Sequence, residues 1–187
     1  MTHDDKRVAF LVATEGIEEI ELTSPWKAVQ EAGFTPELLS TDSGEVQAFN
    51  HLDRAGAYKV DREVSGASPD DYTALVLPGG VANPDALRTD KAAVAFVAGM
   101  MAVGKPVAAI CHGPWVLAEA DVLKGRTVTS YPSIRTDLRN AGAEVVDERV
   151  VVDGNLITSR NPDDLEAFNG AVIEALNHGS AGATAEH

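Results

Sequence analysis

The sequence predicts an α/β fold with a doubly wound, mostly parallel sheet and helices on both faces. Two observations predict it. Short, fully apolar runs recur along the chain, as expected of strands buried on both faces of a parallel sheet. Segments with helical patterning separate these runs, so strands and helices alternate. In such a sheet a ligand binds outside the carboxyl ends of the strands, and the functional residues should lie there.

The predicted elements follow in chain order. Strands are expected at residues 7–13, 34–40, 74–77, 107–110, 126–130, 145–146, 150–153 and 156–159. Helices are expected at residues 17–32, 89–103, 114–120, 133–141 and 162–177, with Thr89 and Asn161 as N-caps of the second and the last. The polar segment 42–68 predicts only minor strands, and residues 179–187 a frayed tail. A single domain would span residues 1–187, with its core at about 7–177.

Composition and charge narrow the function. The chain has 187 residues, of which 44% are hydrophobic and 24% charged, as in ordinary soluble domains. Its net charge of −14 would repel nucleic-acid phosphates and anionic membrane surfaces, so neither is expected as a partner. The longest N-terminal apolar run is too short for a signal peptide core or a membrane span, and the single cysteine permits no intrachain disulfide. The expected compartment is therefore the cytoplasm.

The stretch around residue 111 is the strongest functional signal. The apolar run 107–110 breaks abruptly into Cys111-His112-Gly113-Pro114 and then into a helical pattern. This is the layout of a nucleophile elbow, in which a sharp strand-to-helix turn holds a reactive side chain at the top of a sheet. The N-terminus of the following helix should favour a thiolate over a thiol. Most lone cysteines are inert core residues, but this one lies at a turn beside a histidine.

Two further segments also follow predicted strands. The acidic cluster of Glu18, Glu19 and Glu21 comes after the first strand, and Gly79-Gly80 comes after the third. Because the carboxyl ends of parallel strands meet at one edge of a sheet, the fold should bring both segments close to the elbow. The acids at positions 18 and 19 are explained by a helix N-terminus alone. Glycine amides beside a nucleophile are what a developing oxyanion needs.

In its motifs the chain resembles the ThiJ/PfpI superfamily, and within it the PfpI-like branch. The matching pieces are GIEEIEL, LPGG, AICHGP, TSYPSIRTDL and VVVDGNLITSR, in the family's order over about residues 7–177. The resemblance implies a flavodoxin-like fold, shared with class I glutamine amidotransferases, and a cysteine enzyme without an organic cofactor. An amidotransferase itself is not expected, because Ala109 stands where its elbow needs glycine and no histidine begins its late His-x-Glu pattern.

The resemblance also implies roles for individual residues. Cys111 would be the nucleophile, Glu21 would hydrogen-bond its sulfur, and His112 would be the base. The main-chain amides of Gly80 and His112 would form the oxyanion hole. Asp85 matches an acid that a neighbouring subunit supplies to orient the histidine, which implies a homodimer or larger assembly. Many relatives carry glutamate at that position, and Asp85 is one methylene shorter.

The role of Glu21 depends on its protonation state. A carboxylate near a thiolate raises the pKa of the thiol, so Glu21 can help only as a protonated hydrogen-bond donor.

Two aromatic residues are candidates for the lining of the pocket. Tyr131 occupies the Tyr-Pro position of the branch, where other superfamily members place a histidine; it could instead be a core or interface aromatic. Trp115 would either line the pocket or only pack against neighbouring side chains. One cysteine and five scattered histidines predict no metal site, and no cofactor motif is present.

Three functions remain open from the sequence. The favoured one is an enzyme in which Cys111 attacks the carbonyl carbon of small dicarbonyls such as methylglyoxal, or of their glycation adducts, as a glutathione-independent glyoxalase or deglycase in stress protection. The second is an intracellular cysteine peptidase, although the chain has no long extra segment for an extended peptide cleft. The third is a non-catalytic redox sensor, in which Cys111 is oxidised to sulfinic acid and stabilised by Glu21.

Overall fold

Alternating apolar and amphipathic segments set the order of strands and helices. In a computed structural model, which describes residues 6–182 and the last three of these by their backbone alone, twelve strands are present. They are β1 (Arg7–Val12), β2 (Glu15–Glu18), β3 (Thr35–Ser40), β4 (Glu45–Asn50), β5 (Asp53–Lys59), β6 (Arg62–Glu63), β7 (Ala74–Leu77), β8 (Val107–Ile110), β9 (Thr127–Val128), β10 (Glu144–Val145), β11 (Val150–Asp153) and β12 (Leu156–Ser159). The α-helices are α1 (Glu19–Glu31), α2 (Ala82–Leu87), α3 (Lys91–Ala102), α4 (Pro114–Glu119), α5 (Arg135–Asn140) and α6 (Leu165–Gly182).

Seven of the strands form the central sheet. Their order is β11-β12-β8-β7-β1-β3-β6, and every neighbouring pair is parallel except the antiparallel pair β11 and β12. The chain starts near the middle of the sheet and winds outwards in both directions, which is the doubly wound topology. The predicted single-domain, flavodoxin-like α/β fold is therefore confirmed.

The sheet is buried on both faces. Along β1, Phe10 belongs to the same core cluster as Phe168 of α6, whereas its neighbour Leu11 belongs to the cluster that contains Val97 of α3. Successive side chains of a strand point to opposite faces, so helices cover both sides. The continuous apolar runs in the sequence follow from this double burial.

Several element boundaries differ from the prediction. Residues 15–18 form β2 instead of the first turn of a helix, and with β4 and β5 they make a separate three-stranded sheet from the segment predicted to hold only minor strands. The short helix α2 was not predicted. Thr89 was wrongly predicted as the N-cap of α3: its hydroxyl donates to the Ala86 carbonyl at 2.7 Å, and Asp90 caps α3 by accepting from the Ala93 amide at 2.8 Å.

The C-terminal helix begins and ends later than predicted. The Asn161 side chain accepts a hydrogen bond from the Asp163 amide at 3.0 Å, as predicted for a cap, but a 3-10 turn separates it from α6. The helix continues to Gly182, so the tail predicted from residue 179 is helical over its first four residues. No proline interrupts this stretch, and each of its two glycines, Gly179 and Gly182, costs a helix only about 1 kcal/mol relative to alanine. Residues 183–187 lie outside the described residues.

Candidate active site

The turn after β8 has the geometry of a nucleophile elbow. Cys111 has a φ of 63°, in the left-handed region that non-glycine residues rarely adopt. The turn is closed by the Gly113 amide, which donates to the Ile110 carbonyl at 2.9 Å. A side chain at Gly113 would lie 2.6 Å from the Leu77 carbonyl oxygen, so glycine is required there. Pro114 then starts α4, leaving the thiol at the carboxyl end of a central strand.

Glu21 lies beside Cys111, as the sequence predicts. It belongs to α1, is completely buried, and its Oε2 accepts a hydrogen bond from the Gly79 amide at 2.8 Å. A side chain at Gly79 would collide with the Glu21 carboxyl group and would lie 2.7 Å from Cys111 Cβ. The three residues are therefore in direct contact where β1, β7 and β8 end.

Burial decides the protonation state of Glu21. It raises the pKa of this carboxyl to about 8, although the Gly79 amide favours the charged form. Glu21 is therefore mostly protonated at neutral pH, the condition that its proposed role requires. Its Oε1 has no nitrogen or oxygen partner among the described residues, and the carboxyl group interacts with the Cys111 thiol.

The Cys111 thiol also has a raised pKa. The main cause is burial, and the negative charge of an ionised Glu21 adds to it. The main-chain amides of His112 and Gly80 both donate towards the sulfur and oppose the increase. This direction is opposite to the one expected from a helix N-terminus, because α4 has only six residues and burial outweighs its dipole. A nearby base is therefore needed to take the thiol proton.

His112 supplies such a base. Its Nδ1 lies 3.2 Å from Cys111 Sγ, and its Nε2 lies 3.2 Å from the Ser133 hydroxyl. Burial lowers the pKa of His112, so the imidazole is neutral at neutral pH. The ring stacks on Tyr131 at a centroid distance of 4.6 Å and meets the edge of Trp115 at 5.4 Å. These contacts on both sides hold the imidazole against the sulfur.

Asn83 orients the Gly79–Gly80 peptide and was not recognised from the sequence. It is completely buried, and its Nδ2 donates to the carbonyl oxygens of Pro78 and Gly79 at 3.1 and 3.0 Å. In a planar trans peptide the C=O and the following N–H point in opposite directions. Holding the Gly79 carbonyl on one side therefore directs the Gly80 amide to the other side, towards Cys111.

A cavity of about 720 Å³ opens onto these groups. Cys111, His112 and Glu21 line its buried part, and Tyr131 lines it with a side chain that is 39% exposed. Asp85 lines the same cavity, and among the described residues no hydrogen bond joins it to His112.

Trp115 is not part of the cavity lining. Its indole donates to Asp137 at 2.8 Å and packs behind the imidazole of His112. Its position in the first turn of α4 turns the side chain towards α5, away from the opening.

The hairpin of β4 and β5 forms one side of the cavity. Phe49, His51 and Leu52 line it, and Leu52 is 94% exposed. No local sequence pattern indicates this role, since these residues lie in the segment predicted to hold only minor strands.

Glu18, the last residue of β2, and Glu19, the first residue of α1, both form hydrogen bonds with this hairpin. Glu18 accepts a hydrogen bond from the His51 amide at 3.1 Å. Glu19 accepts from the Gly56 amide at 2.8 Å and from the Tyr58 hydroxyl at 2.7 Å. Both acids lie at the N-terminus of α1, as predicted, but that position does not account for these partners, which lie more than thirty residues away in the chain.

Among the described residues, no group of three or more histidine, cysteine, aspartate or glutamate side chains has an arrangement that could hold a metal ion. Of the helices in residues 6–182, none combines the length and the apolar character that crossing a membrane requires.

The chain was compared with known proteins. A family model described as the DJ-1/PfpI family matches residues 6–175. A Bacillus subtilis protein named "Putative cysteine protease YraA" is 46% identical over 172 residues, which cover 92% of this chain and 97% of that protein.

Solved structures resemble the chain over nearly its whole length. One is a two-domain protein from Anabaena variabilis with DJ-1/ThiJ/PfpI-like and ferritin-like domains, which has a TM-score of 0.87 and 38% identity over 94% of this chain. This chain spans only 49% of the length of that protein. Drosophila melanogaster DJ-1beta has a TM-score of 0.81 and 27% identity over 97% of this chain and 99% of that one. Sequence and structure together show that the chain belongs to the DJ-1/PfpI family.

Proposed function

We propose that the protein is a cysteine-nucleophile enzyme that converts reactive carbonyl compounds, as a glutathione-independent glyoxalase or a deglycase. One observation carries the proposal: a neutral base, two main-chain amides and a protonated carboxyl group all converge on the Cys111 sulfur. Nucleophilic attack on a carbonyl needs a base for the thiol proton and hydrogen-bond donors for the developing oxyanion. An inert core cysteine needs none of them.

The first chemical step uses the contact between the sulfur and the imidazole. His112 Nδ1 takes the thiol proton as Cys111 Sγ bonds to the aldehyde carbon, and the carbonyl π electrons move to oxygen. The amides of Gly80 and His112 stabilise the resulting oxyanion. Protonation of this oxygen by His112 gives a hemithioacetal and restores the neutral base.

For a 2-oxoaldehyde such as methylglyoxal, the later steps need only water. His112 removes the proton from the carbon bonded to sulfur, and the electrons move through an enediol to the adjacent carbonyl, whose oxygen can be protonated by neutral Glu21. The proton held by His112 then passes to that adjacent carbon, the hydroxyl proton of the sulfur-bonded carbon passes to the Glu21 carboxylate, and a thioester forms with both groups restored. Water then attacks the thioester carbon, the Cys111 sulfur leaves, and a 2-hydroxycarboxylate is released. The oxidation of one carbon and the reduction of its neighbour balance within the substrate.

Two partners would orient the His112 imidazole, one within the chain and one from a neighbouring subunit. Within the chain, an Nε2–H that donates to the Ser133 hydroxyl leaves Nδ1 free to accept the thiol proton. Across an assembly, we propose that Asp85 of one subunit approaches the imidazole of a neighbouring subunit on its Nε2 side and accepts a share of the N–H that donates to Ser133, in a homodimer or larger oligomer. A cytoplasmic setting, in which thiols stay reduced, suits this chemistry.

Peptide hydrolysis is the second candidate, and the size of the cavity favours it. About 720 Å³ is far more than a three-carbon dicarbonyl fills, and the exposed Leu52 and Val81 give the opening an apolar rim. The name of the Bacillus subtilis relative points the same way. A redox sensor is less well supported, because it needs a readily formed thiolate, and burial raises the pKa of Cys111.

Turnover with purified variants tests the proposal. The native protein should form lactate from methylglyoxal without glutathione, and Cys111→Ser and His112→Gln should lose this activity. Tyr131→Phe, which keeps the stacked ring, is the matched control and should retain it. If the native protein cleaves peptides in a Cys111-dependent way and leaves methylglyoxal unchanged, the second candidate replaces the first.

A further inference from the structure

The charges on the cavity walls are of one sign. Glu15, Glu18 and Asp85 are among the residues that line the cavity, and no lysine or arginine is among the described residues that line it. Glu21 is buried and mostly neutral at neutral pH, its Oε1 has no nitrogen or oxygen partner, and its carboxyl group meets the Cys111 thiol, so it adds no negative charge at that pH. A substrate that enters this cavity therefore meets acidic side chains without basic ones to balance them.

Much of the rest of the lining is apolar. Phe49, Leu52 and Val81 carry no charge, and His51 lies on the same hairpin as Phe49 and Leu52. Low-dielectric walls reduce the screening of charges within a cleft, so its field acts strongly on small solutes. A negatively charged solute finds no lysine or arginine among the described residues of this lining.

We infer that this cavity selects its carbonyl substrates by charge, accepting neutral and cationic compounds and excluding those that carry a carboxylate. The inference rests on the proposed function and specifies its substrate class. Selection by charge also treats substrate and product differently, because the 2-oxoaldehyde that enters is neutral and the 2-hydroxycarboxylate that leaves is an anion. Repulsion by Glu15, Glu18 and Asp85 then favours release of the anionic product.

Charged thiol reagents test the selection without requiring turnover. Cys111 is the only cysteine of the chain, so methanethiosulfonates that carry a trimethylammonium or a sulfonate group report only on this cavity. After normalisation to a small cysteine peptide, the cationic reagent should react about tenfold faster than the anionic one at low ionic strength. The ratio should fall in about 0.5 M salt, where the Debye length is only a few ångströms.

Two variants that each remove one negative charge separate the cavity from the net charge. Glu15→Gln removes a cavity carboxylate and should lower the ratio about threefold. Asp70→Asn removes an exposed carboxylate before the amino end of β7, opposite to the cavity, and should leave the ratio unchanged. A native ratio near one, or equal effects of the two variants, would overturn the inference.

Lactate formation from methylglyoxal is measured in parallel, so that the two claims fail separately. Turnover without charge discrimination at Cys111 keeps the proposed function and refutes the selection. Discrimination without turnover refutes the glyoxalase reaction and leaves the electrostatic property of the cavity established. With an active enzyme, added lactate should inhibit the Glu15→Gln variant more strongly than the native protein.

Discussion

Replacing Glu21 by glutamine should remove a large pH dependence of stability. In the unfolded chain this carboxyl titrates near its usual value of 4.5, whereas burial raises its pKa to about 8 in the folded protein. Between these values the folded state holds a proton that the unfolded state has released, so the free energy of unfolding falls as pH rises. The contribution is fully present below pH 4.5 and is lost as pH approaches 8.

The size of the effect follows from the shift. One pKa unit corresponds to 1.36 kcal/mol, so the shift amounts to about 5 kcal/mol in total, and about 3 to 4 kcal/mol of it falls between pH 5 and pH 8. Glutamine keeps an oxygen that accepts from the Gly79 amide and has no titrating group. The difference in the free energy of unfolding between the native protein and Glu21→Gln should therefore change by about 3 to 4 kcal/mol over this range. The His112 side chain also contributes to the pH dependence of the free energy of unfolding, but this contribution cancels in the difference because both proteins contain it.

Denaturant unfolding at several pH values measures this difference. Glu19→Gln is the matched control, because the Tyr58 hydroxyl and the Gly56 amide lower the pKa of Glu19, which therefore stays ionised in both states above pH 5. The difference in the free energy of unfolding between the native protein and Glu19→Gln should not change with pH from 5 to 8. A difference for Glu21→Gln that is equally flat would refute the claim that Glu21 is protonated.

Three further substitutions test the groups around the sulfur. Asn83→Asp, which removes the donor that holds the Gly79 carbonyl, should lower kcat about 100-fold with little change in KM, as loss of an oxyanion donor does; an equal loss through KM would contradict this positioning role. Ser133→Ala should lower kcat/KM about tenfold and Ser133→Thr should restore it, whereas full activity of the alanine variant would show that the hydroxyl does not orient His112. Gly79→Ala should destabilise the fold by about 2 kcal/mol or more in chemical denaturation, because its methyl group would collide with Glu21; native-like stability would contradict that packing.

The fold and the centre of the site could be predicted from the sequence because their signals are local. A buried strand that runs directly into Cys111-His112-Gly113 specifies an elbow within a few residues. The rule that strands of a parallel sheet end at one edge then places Glu21 and Gly80 nearby. The structure has this arrangement.

The surroundings of the site could not be predicted, because they depend on distant pairs. Glu19 binds Tyr58, 39 residues away, and His112 contacts Ser133, 21 residues away. No periodicity or composition reports such contacts. The thiol pKa was misjudged for a related reason: the helix start is visible in the sequence, whereas the depth of burial of Cys111 depends on the whole fold.

The central claim is that a carbon–sulfur bond forms at Cys111 during turnover. Acid quenching of the protein in the first turnover with methylglyoxal, followed by mass spectrometry of the peptide that contains Cys111, tests it directly. An adduct on Cys111 should appear before lactate, decay as lactate forms, and accumulate less in the His112→Gln variant. Lactate formation with Cys111 unmodified throughout, or undiminished lactate formation by Cys111→Ser, would contradict it.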